Sequence, residues 1–194
     1  MIHIEKEEGE IMKVKKFAVV LLVAALGVWG AAVYDINTRL PIRKIEQFSE
    51  DSPALQDGLK MTPHGFNFYT ESEYFAMNPD TFIYSSKLSA PNDENRVVVF
   101  NLEVENTTDE QITYKNSVFC PVSVNSGFFN GCSEDSVKRQ RTIEAGEIQN
   151  IKLVTKMSTS LVDKKYIENL KDDTFRVIFW CYPIQKELIF DCVQ

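Results

Sequence analysis

From residue 97 the chain alternates. Val98, Phe100, Leu102 and Val104 fall on one side, and Val97, Val99, Asn101, Glu103 and Glu105 on the other, which is the two-residue period of a half-buried strand. Asn106-Thr107-Thr108-Asp109-Glu110 then supplies side chains that hydrogen-bond their own turn backbone, and Ile112 and Tyr114 resume the alternation. This pattern predicts a β-hairpin.

Similar signals recur on both sides of it. Aromatic residues from Gly65 onward (Phe66, Phe68, Tyr69, Tyr74, Phe75, Phe82, Tyr84) read as strand formers punctuated by Asn78-Pro79-Asp80. Glu144-Ala145-Gly146-Glu147 reads as a turn into a strand through Ile151 and Leu153, and Phe175 to Tyr182 with Leu188 to Val193 reads as a last pair around Pro183. Ser160 to Leu170 departs from the period. Ser160 with Asp163 three residues on resembles a capping box, and Val162, Tyr166 and Leu170 recur every four residues, so a short connecting helix is expected.

About seven strands and one short helix make an all-β sandwich the expected fold, with two sheets burying their alternating faces against each other. Residues 62–194 form that domain in this reading. Residues 35–61, of mixed charge with few large apolar groups, are expected to be a stalk, with one or two helical turns between Ser52-Pro53 and Gly58.

Phe17 to Tyr34 breaks every period, because 18 residues pass without a charge or a proline, after Lys13, Lys15 and Lys16 and before Asp35. A helix of that length rises about 27 Å, close to the hydrocarbon thickness of a bilayer. The lysines favour an N-terminus left in the cytoplasm and a domain outside. The segment is thus expected to be a transmembrane helix behind a cytoplasmic tail of residues 1–16. A cleavable signal peptide is the alternative, since Gly30-Ala31-Ala32 offers the small residues a signal peptidase recognises. The purine-rich codons implied by Glu7-Glu8-Gly9-Glu10 before Met12 suggest that translation begins at Met12, and detection of a native peptide from residues 1–11 would exclude that.

The composition, 44% hydrophobic and 25% charged, excludes wholesale disorder. The formal charge of −7 falls in the exported part, which holds 17 Lys and Arg against 24 Asp and Glu from Asp35 onward. Such a surface lacks the basic footprint that nucleic acid requires.

The succession RVVVFNLEVENTTDEQITYKNSVF, IEAGEIQNIKLVTKM and FRVIF, within residues 62–193, resembles the small extracytoplasmic immunoglobulin-like (telokin-like) domains of Gram-positive lipoproteins and membrane-anchored proteins. The shared features are the strand ending in Asn-Thr and the turn Ala145-Gly146-Glu147. The resemblance implies an immunoglobulin-like sandwich at the cell envelope. Many relatives are lipoproteins, whereas here no cysteine follows the apolar segment until Cys120, which favours a helix anchor over a lipid.

An oxidising exterior suits an even number of cysteines, and all four, Cys120, Cys132, Cys181 and Cys192, follow the apolar segment. If Asn125-Ser126-Gly127 is a three-residue loop, Val124 faces Phe128 and the same register sets Cys120 opposite Cys132. The expected disulfides are 120 with 132 and 181 with 192, with the other connectivities and free thiols left open. Zinc is disfavoured because there is no C-x2-C spacing and only His3 and His64 are present. A catalytic role for His64 competes with its plain reading as the lead into the first strand. Glu71/Glu73, Asp93-Glu94, Glu134-Asp135 and Asp172-Asp173 are solvated turns or weak calcium seats. Asn106-Thr107-Thr108 matches a glycosylation sequon that the turn explains without sugar.

Phe128-Phe129, at the tip of the proposed hairpin, is the better functional lead, as a partner-binding site. Lys138-Arg139-Gln140-Arg141 reads as a solvated loop, with contact to anionic wall polymer or lipid headgroups as its functional alternative. The function expected is a membrane-anchored, non-catalytic binding or scaffold domain without cofactor or metal, acting on a cell-envelope protein or wall polymer. The alternatives are an accessory or protective protein for a neighbouring secretion or toxin system, and an envelope enzyme with an unrecognised site.

Overall fold

The structure, a computed structural model, describes residues 18–35, 44–79, 90–115, 119–134 and 140–193. It divides into two units, residues 1–42 and 43–194. The first holds helix α1 (Ala18–Asp35), the one helix among the described residues long and apolar enough to cross a membrane, with none of its surface buried.

The second unit is built from two main sheets. One has four strands in the order β1 (Ile45–Phe48), β11 (Gln185–Asp191), β10 (Thr174–Trp180) and β6 (Cys120–Ser123). The other has five, in the order β2 (Ala54–Gln56), β3 (Leu59–Tyr69), β4 (Arg96–Asn106), β9 (Ile148–Met157) and β7 (Ser133–Glu134). A separate pair joins β5 (Ile112–Lys115) to β8 (Gln140–Ile143). Phe66, Phe100, Leu102 and Leu153 from one sheet meet Phe175, Val177, Leu188 and Phe190 from the other in a single buried core. Phe100 lies at its centre, 6.1 Å ring to ring from Phe66 and 5.2 Å from both Phe175 and Phe190. The fold is an all-β sandwich, with eleven strands among the described residues where about seven are legible in the sequence.

The turn at residues 106–111 forms, but it does not close a hairpin: β4 lies between β3 and β9, while β5 leaves for β8. Asn106, fully buried, directs that departure. Its Nδ2 donates to the carbonyls of Glu110 (2.7 Å) and Ile143 (3.0 Å), and its Oδ1 accepts from the Thr108 backbone N–H (3.0 Å) and hydroxyl (2.7 Å). With its amide nitrogen buried and committed to two backbone carbonyls, the folded protein offers no glycan acceptor at this sequon.

The expected stalk also gives way to structure. Ile45 to Phe48 pair in parallel with Gln185 to Leu188, and Ala54 to Gln56 pair with β3 rather than coiling into a helix. Phe48 packs against the core, in ring contact with Phe179, so this short segment gains from joining the sheet what its mixed composition conceals. Parallel pairing with the end of the chain is a tertiary fact that local sequence does not announce.

Tyr74 and Phe75, read as strand formers, lie in helix α2 (Glu71–Met77). Thr70 and Glu73 form a reciprocal capping box: the Thr70 hydroxyl accepts from the Glu73 N–H (3.2 Å) and the Glu73 carboxylate accepts from the Thr70 N–H (2.8 Å). Tyr74 packs with Val97, Val99 and Val154 on the outer face of the five-stranded sheet. The helix thus buries the second face of β4, which is why both valine sets there are covered. Phe82 and Tyr84 lie outside the described residues.

Glu71 fastens α2 to that sheet. Its carboxylate accepts from the Asn92 N–H (2.9 Å) and Asn95 Nδ2 (2.8 Å) and pairs with Lys156. Burial pushes its pKa up, but the hydrogen bonds from Lys156, Asn92 and Asn95 and the lysine charge outweigh burial and hold it below 4.5. Its contribution to stability is therefore complete above 4.5 and is lost as pH falls through the lower folded value. Glu71→Gln is expected to cost about 2 kcal/mol near neutrality, since it breaks a largely buried pair and leaves Lys156 without its charge partner. In urea unfolding series across pH, the gap between variant and wild type should close on acidification. A gap independent of pH would show that the carboxylate charge is not what stabilises.

The connecting helix forms later than the sequence suggests. Helix α3 (Lys164–Glu168) is capped by Asp163, whose carboxylate accepts from the Lys165 N–H (3.1 Å), rather than by Ser160. A short 3-10 turn, Leu170–Asp172, leads from it into β10.

Candidate functional site

At one end of the sandwich, the turn after β6 and the loop before α3 enclose a groove of about 330 Å³ lined by Ser126, Gly127, Phe128, Phe129, Leu161, Val162, Asp163 and Tyr166. Its first wall is set by a buried polar clamp. The Ser123 hydroxyl donates to Asp173 Oδ2 (2.6 Å) and accepts from the Ser126 N–H (3.0 Å) and hydroxyl (2.7 Å). Asp173 Oδ1 accepts from the N–H groups of Asn125 (3.1 Å) and Thr174 (2.8 Å). These bonds pin the turn to the first residue of β10, so the two residues that follow it hold fixed directions.

Phe128 and Phe129 take opposite ones. Phe128 turns into the core and is 7% exposed, while Phe129, paired across from Val122, stands 62% exposed. The expectation of an exposed Phe128-Phe129 tip is thus corrected: alternation about an extended backbone gives one ring to the interior and one to solvent. The second wall follows the same logic. Leu161 and Val162 both donate their N–H to the Ser158 carbonyl (2.9 and 3.0 Å). Val162 is buried among core residues and Leu161 is left 73% exposed. Tyr166, with the Lys165 ammonium 4.7 Å above its ring, forms the floor.

The polar groups on the lining are the hydroxyls of Ser126 and Tyr166 and the Asp163 carboxylate, which already caps α3. No imidazole or thiol accompanies them among the lining residues. Phe129 and Leu161 give the groove two exposed apolar rims, and the hydroxyls and carboxylate add polar groups to the same lining.

The other candidate residues lie elsewhere. His64 is on the outer face of β3, its Nδ1 2.8 Å from Glu50 Oε1 and its Nε2 3.8 Å from Glu103 Oε2. Glu71, Glu73 and Asp173 serve caps and clamps, and Asp93 accepts from the Ser72 N–H (3.0 Å) at the start of α2. Of the basic stretch, Lys138 and Arg139 lie outside the described residues, and Arg141 donates to Gln149 (3.5 Å).

Neither expected disulfide forms between Cys120, Cys132, Cys181 and Cys192. The β6 turn contains four residues, Val124 to Gly127, so Ser123 rather than Val124 meets Phe128. That one-residue slip sets Cys132 against Phe119, its N–H donating to the Phe119 carbonyl (3.1 Å), and sends Cys120 and Cys132 to opposite faces. Cys132 packs against the core, and burial, with the Cys120 charge adding to it, pushes its thiol pKa far up. Cys120 is shifted in the same direction by burial and then by Cys181. Cys181 and Cys192 lie beyond opposite ends of the β10–β11 pair, where Trp180 meets Lys186 and Thr174 meets Asp191. Six or so residues of extended strand, about 20 Å, separate them, well beyond disulfide reach.

The chain matches no known protein family and no curated protein. Its backbone is similar to a solved β-sandwich protein from Clostridium difficile described as uncharacterised, with 10% identity, 78% of this chain and 97% of that one covered, and a TM-score of 0.47. It is also similar to a functionally unknown protein from Listeria monocytogenes (15% identity, 66% and 69% covered, TM-score 0.42) and to the yjhA protein from Bacillus subtilis (8% identity, 74% and 99% covered, TM-score 0.41).

Proposed function

We propose that this protein is a membrane-tethered, extracytoplasmic binding module, without catalytic activity, whose groove captures an apolar side chain of a cell-envelope protein. One observation carries the reading: the groove lies at the end of the sandwich opposite to where the chain arrives. Ile45 is level with Gln185, beyond which β10 ends at Trp180, whereas the groove's turn is level with Phe175 and Asp173 at the start of β10. The seven residues of β10 set the two ends about 20 Å apart. Phe129 and Leu161 thus lie at the end of the sandwich remote from Ile45, where both are exposed to a partner. The likeness to telokin-like envelope domains supports the location, and a lining whose one carboxylate, Asp163, already caps α3 supports binding over catalysis.

A photo-crosslinking residue at position 129 of the full chain, expressed in its own envelope, is expected to trap a distinct partner that Leu161→Ser abolishes. The same residue at position 55, exposed at the other end, should not trap that partner. Identical products from both positions, or products unaffected by Leu161→Ser, would dismiss the groove as the binding site.

A further inference from the structure

We propose that the end of the sandwich where the chain arrives rests on the lipid surface of the bilayer holding α1, with Trp180 and Tyr182 seated at headgroup level. The inference rests on the anchor reading above and adds a second contact to it. Trp180 closes β10 39% exposed, and Tyr182, in the turn that follows, is 82% exposed. Ile45, also exposed, begins the neighbouring edge. Lys186 Nζ reaches Gln56 Oε1 at 2.7 Å, which brings the matching end of the five-stranded sheet alongside, and there Leu55 and Ile148 are exposed as well. Five of the ten large apolar residues exposed on this unit among the described residues lie at this end, and this unit's exposed Trp and Tyr are both among them. Trp and Tyr are the side chains that prefer the membrane interface, with the ring among acyl chains and the N–H or O–H in water.

The tether selects the surface. Nine residues, 36–44, separate the end of α1 at Asp35 from Ile45, and a chain of that length reaches at most about 35 Å. Contact with that bilayer is therefore intramolecular, at an effective concentration on the order of millimolar, so a tip of weak intrinsic lipid affinity stays engaged. Charge works against the contact rather than for it. Lys44 and Lys186 are near the tip, but the turns at this end carry Asp57, Glu110 and Glu144. The attraction is consequently apolar and aromatic, and anionic lipid weakens it.

The chain has two tryptophans, Trp29 within α1 and Trp180 at the tip, so each contact has its own reporter. The full chain is reconstituted in phosphatidylcholine vesicles containing lipids brominated either near the headgroup or deep in the acyl chain. With Trp29→Phe, the remaining Trp180 emission is expected to be quenched by the shallow bromolipid and shifted to shorter wavelength, and Tyr182→Ser should reduce that quenching. With Trp180→Phe, Trp29 is expected to be quenched by the deep bromolipid. Quenching of Trp29 with Trp180 indifferent to both lipids would overturn the docking while leaving the anchor standing. Failure to quench Trp29 would overturn the anchor reading and this inference with it.

Discussion

Phe100→Ala is expected to destabilise the sandwich by about 4 kcal/mol, at the upper range for truncating a buried aromatic. The ring is fully buried, and three other phenylalanines converge on it: Phe66 from the same sheet, and Phe175 and Phe190 from the opposite one. Removing it opens a cavity that strands on both sides would have to close together, and sheets held by long ladders collapse poorly onto a void. It also removes aromatic pairs, each worth about 0.5 to 1.5 kcal/mol beyond burial. Against a total stability of about 5 to 15 kcal/mol, the loss should show as a large fall in the urea midpoint without a change in slope. Phe100→Leu, nearer in volume, should cost distinctly less. A loss below about 1 kcal/mol for the alanine would mean that the two sheets do not meet at this ring.

Gly65→Ala is the second large effect, expected near 3 kcal/mol, and it tests how the sandwich is closed. Gly65 has φ +78°, and a Cβ placed there would lie 2.4 Å from Val193 Cγ1 and 2.7 Å from the Asp191 carbonyl oxygen. The valine could rotate, but the carbonyl is backbone, so β11 itself would have to move. The glycine lies at the irregularity of β3 between Pro63 and Phe66, where the C-terminal segment crosses to this sheet: Phe66 bridges Cys192, and the Val193 N–H donates to the Phe66 carbonyl at 3.0 Å. Left-handed strain of about 1 to 2 kcal/mol and overpacking of about 1 to 3 kcal/mol combine here. Gly127→Ala supplies the control, because its φ is +69° but open space surrounds it, leaving the strain alone, about 1 kcal/mol. Hydrogen exchange should show the Val193 amide losing protection in Gly65→Ala and keeping it in Gly127→Ala. Equal costs for the two variants would mean that the close approach of β11 contributes nothing.

These two positions also mark how far local pattern reaches. The strand from Val97 to Glu105 was legible because its inner residues alternate, and the β10–β11 pair because apolar runs flank a proline. The same alternation could not reveal that α2 covers the outer valines, although the Thr70–Glu73 box that starts the helix was present in the sequence, overshadowed by Tyr74 and Phe75. Phe129 was legible as a candidate contact from its place beside a turn, but which ring of the pair pointed outward depended on one residue of loop length. The same residue decided the cysteines. A three-residue loop would have set Cys120 against Cys132, whereas the clamp of Ser123 and Asp173 fixes four. Leu161, the other wall of the groove, carried no signal of its own, since its exposure follows from Val162 taking the buried place beside it.

The sequence by itself determined that one apolar segment precedes a β-rich domain with an acidic surface, because periodicity, length and charge are properties of consecutive residues. Only the tertiary structure decided that β1 joins the sheet beside the chain's last strand, that β4 and β5 part at Asn106, and that Phe129 and Leu161 share a groove. Those outcomes depend on register and on partners far apart in the chain, where a shift of one residue reverses which side chains face the core.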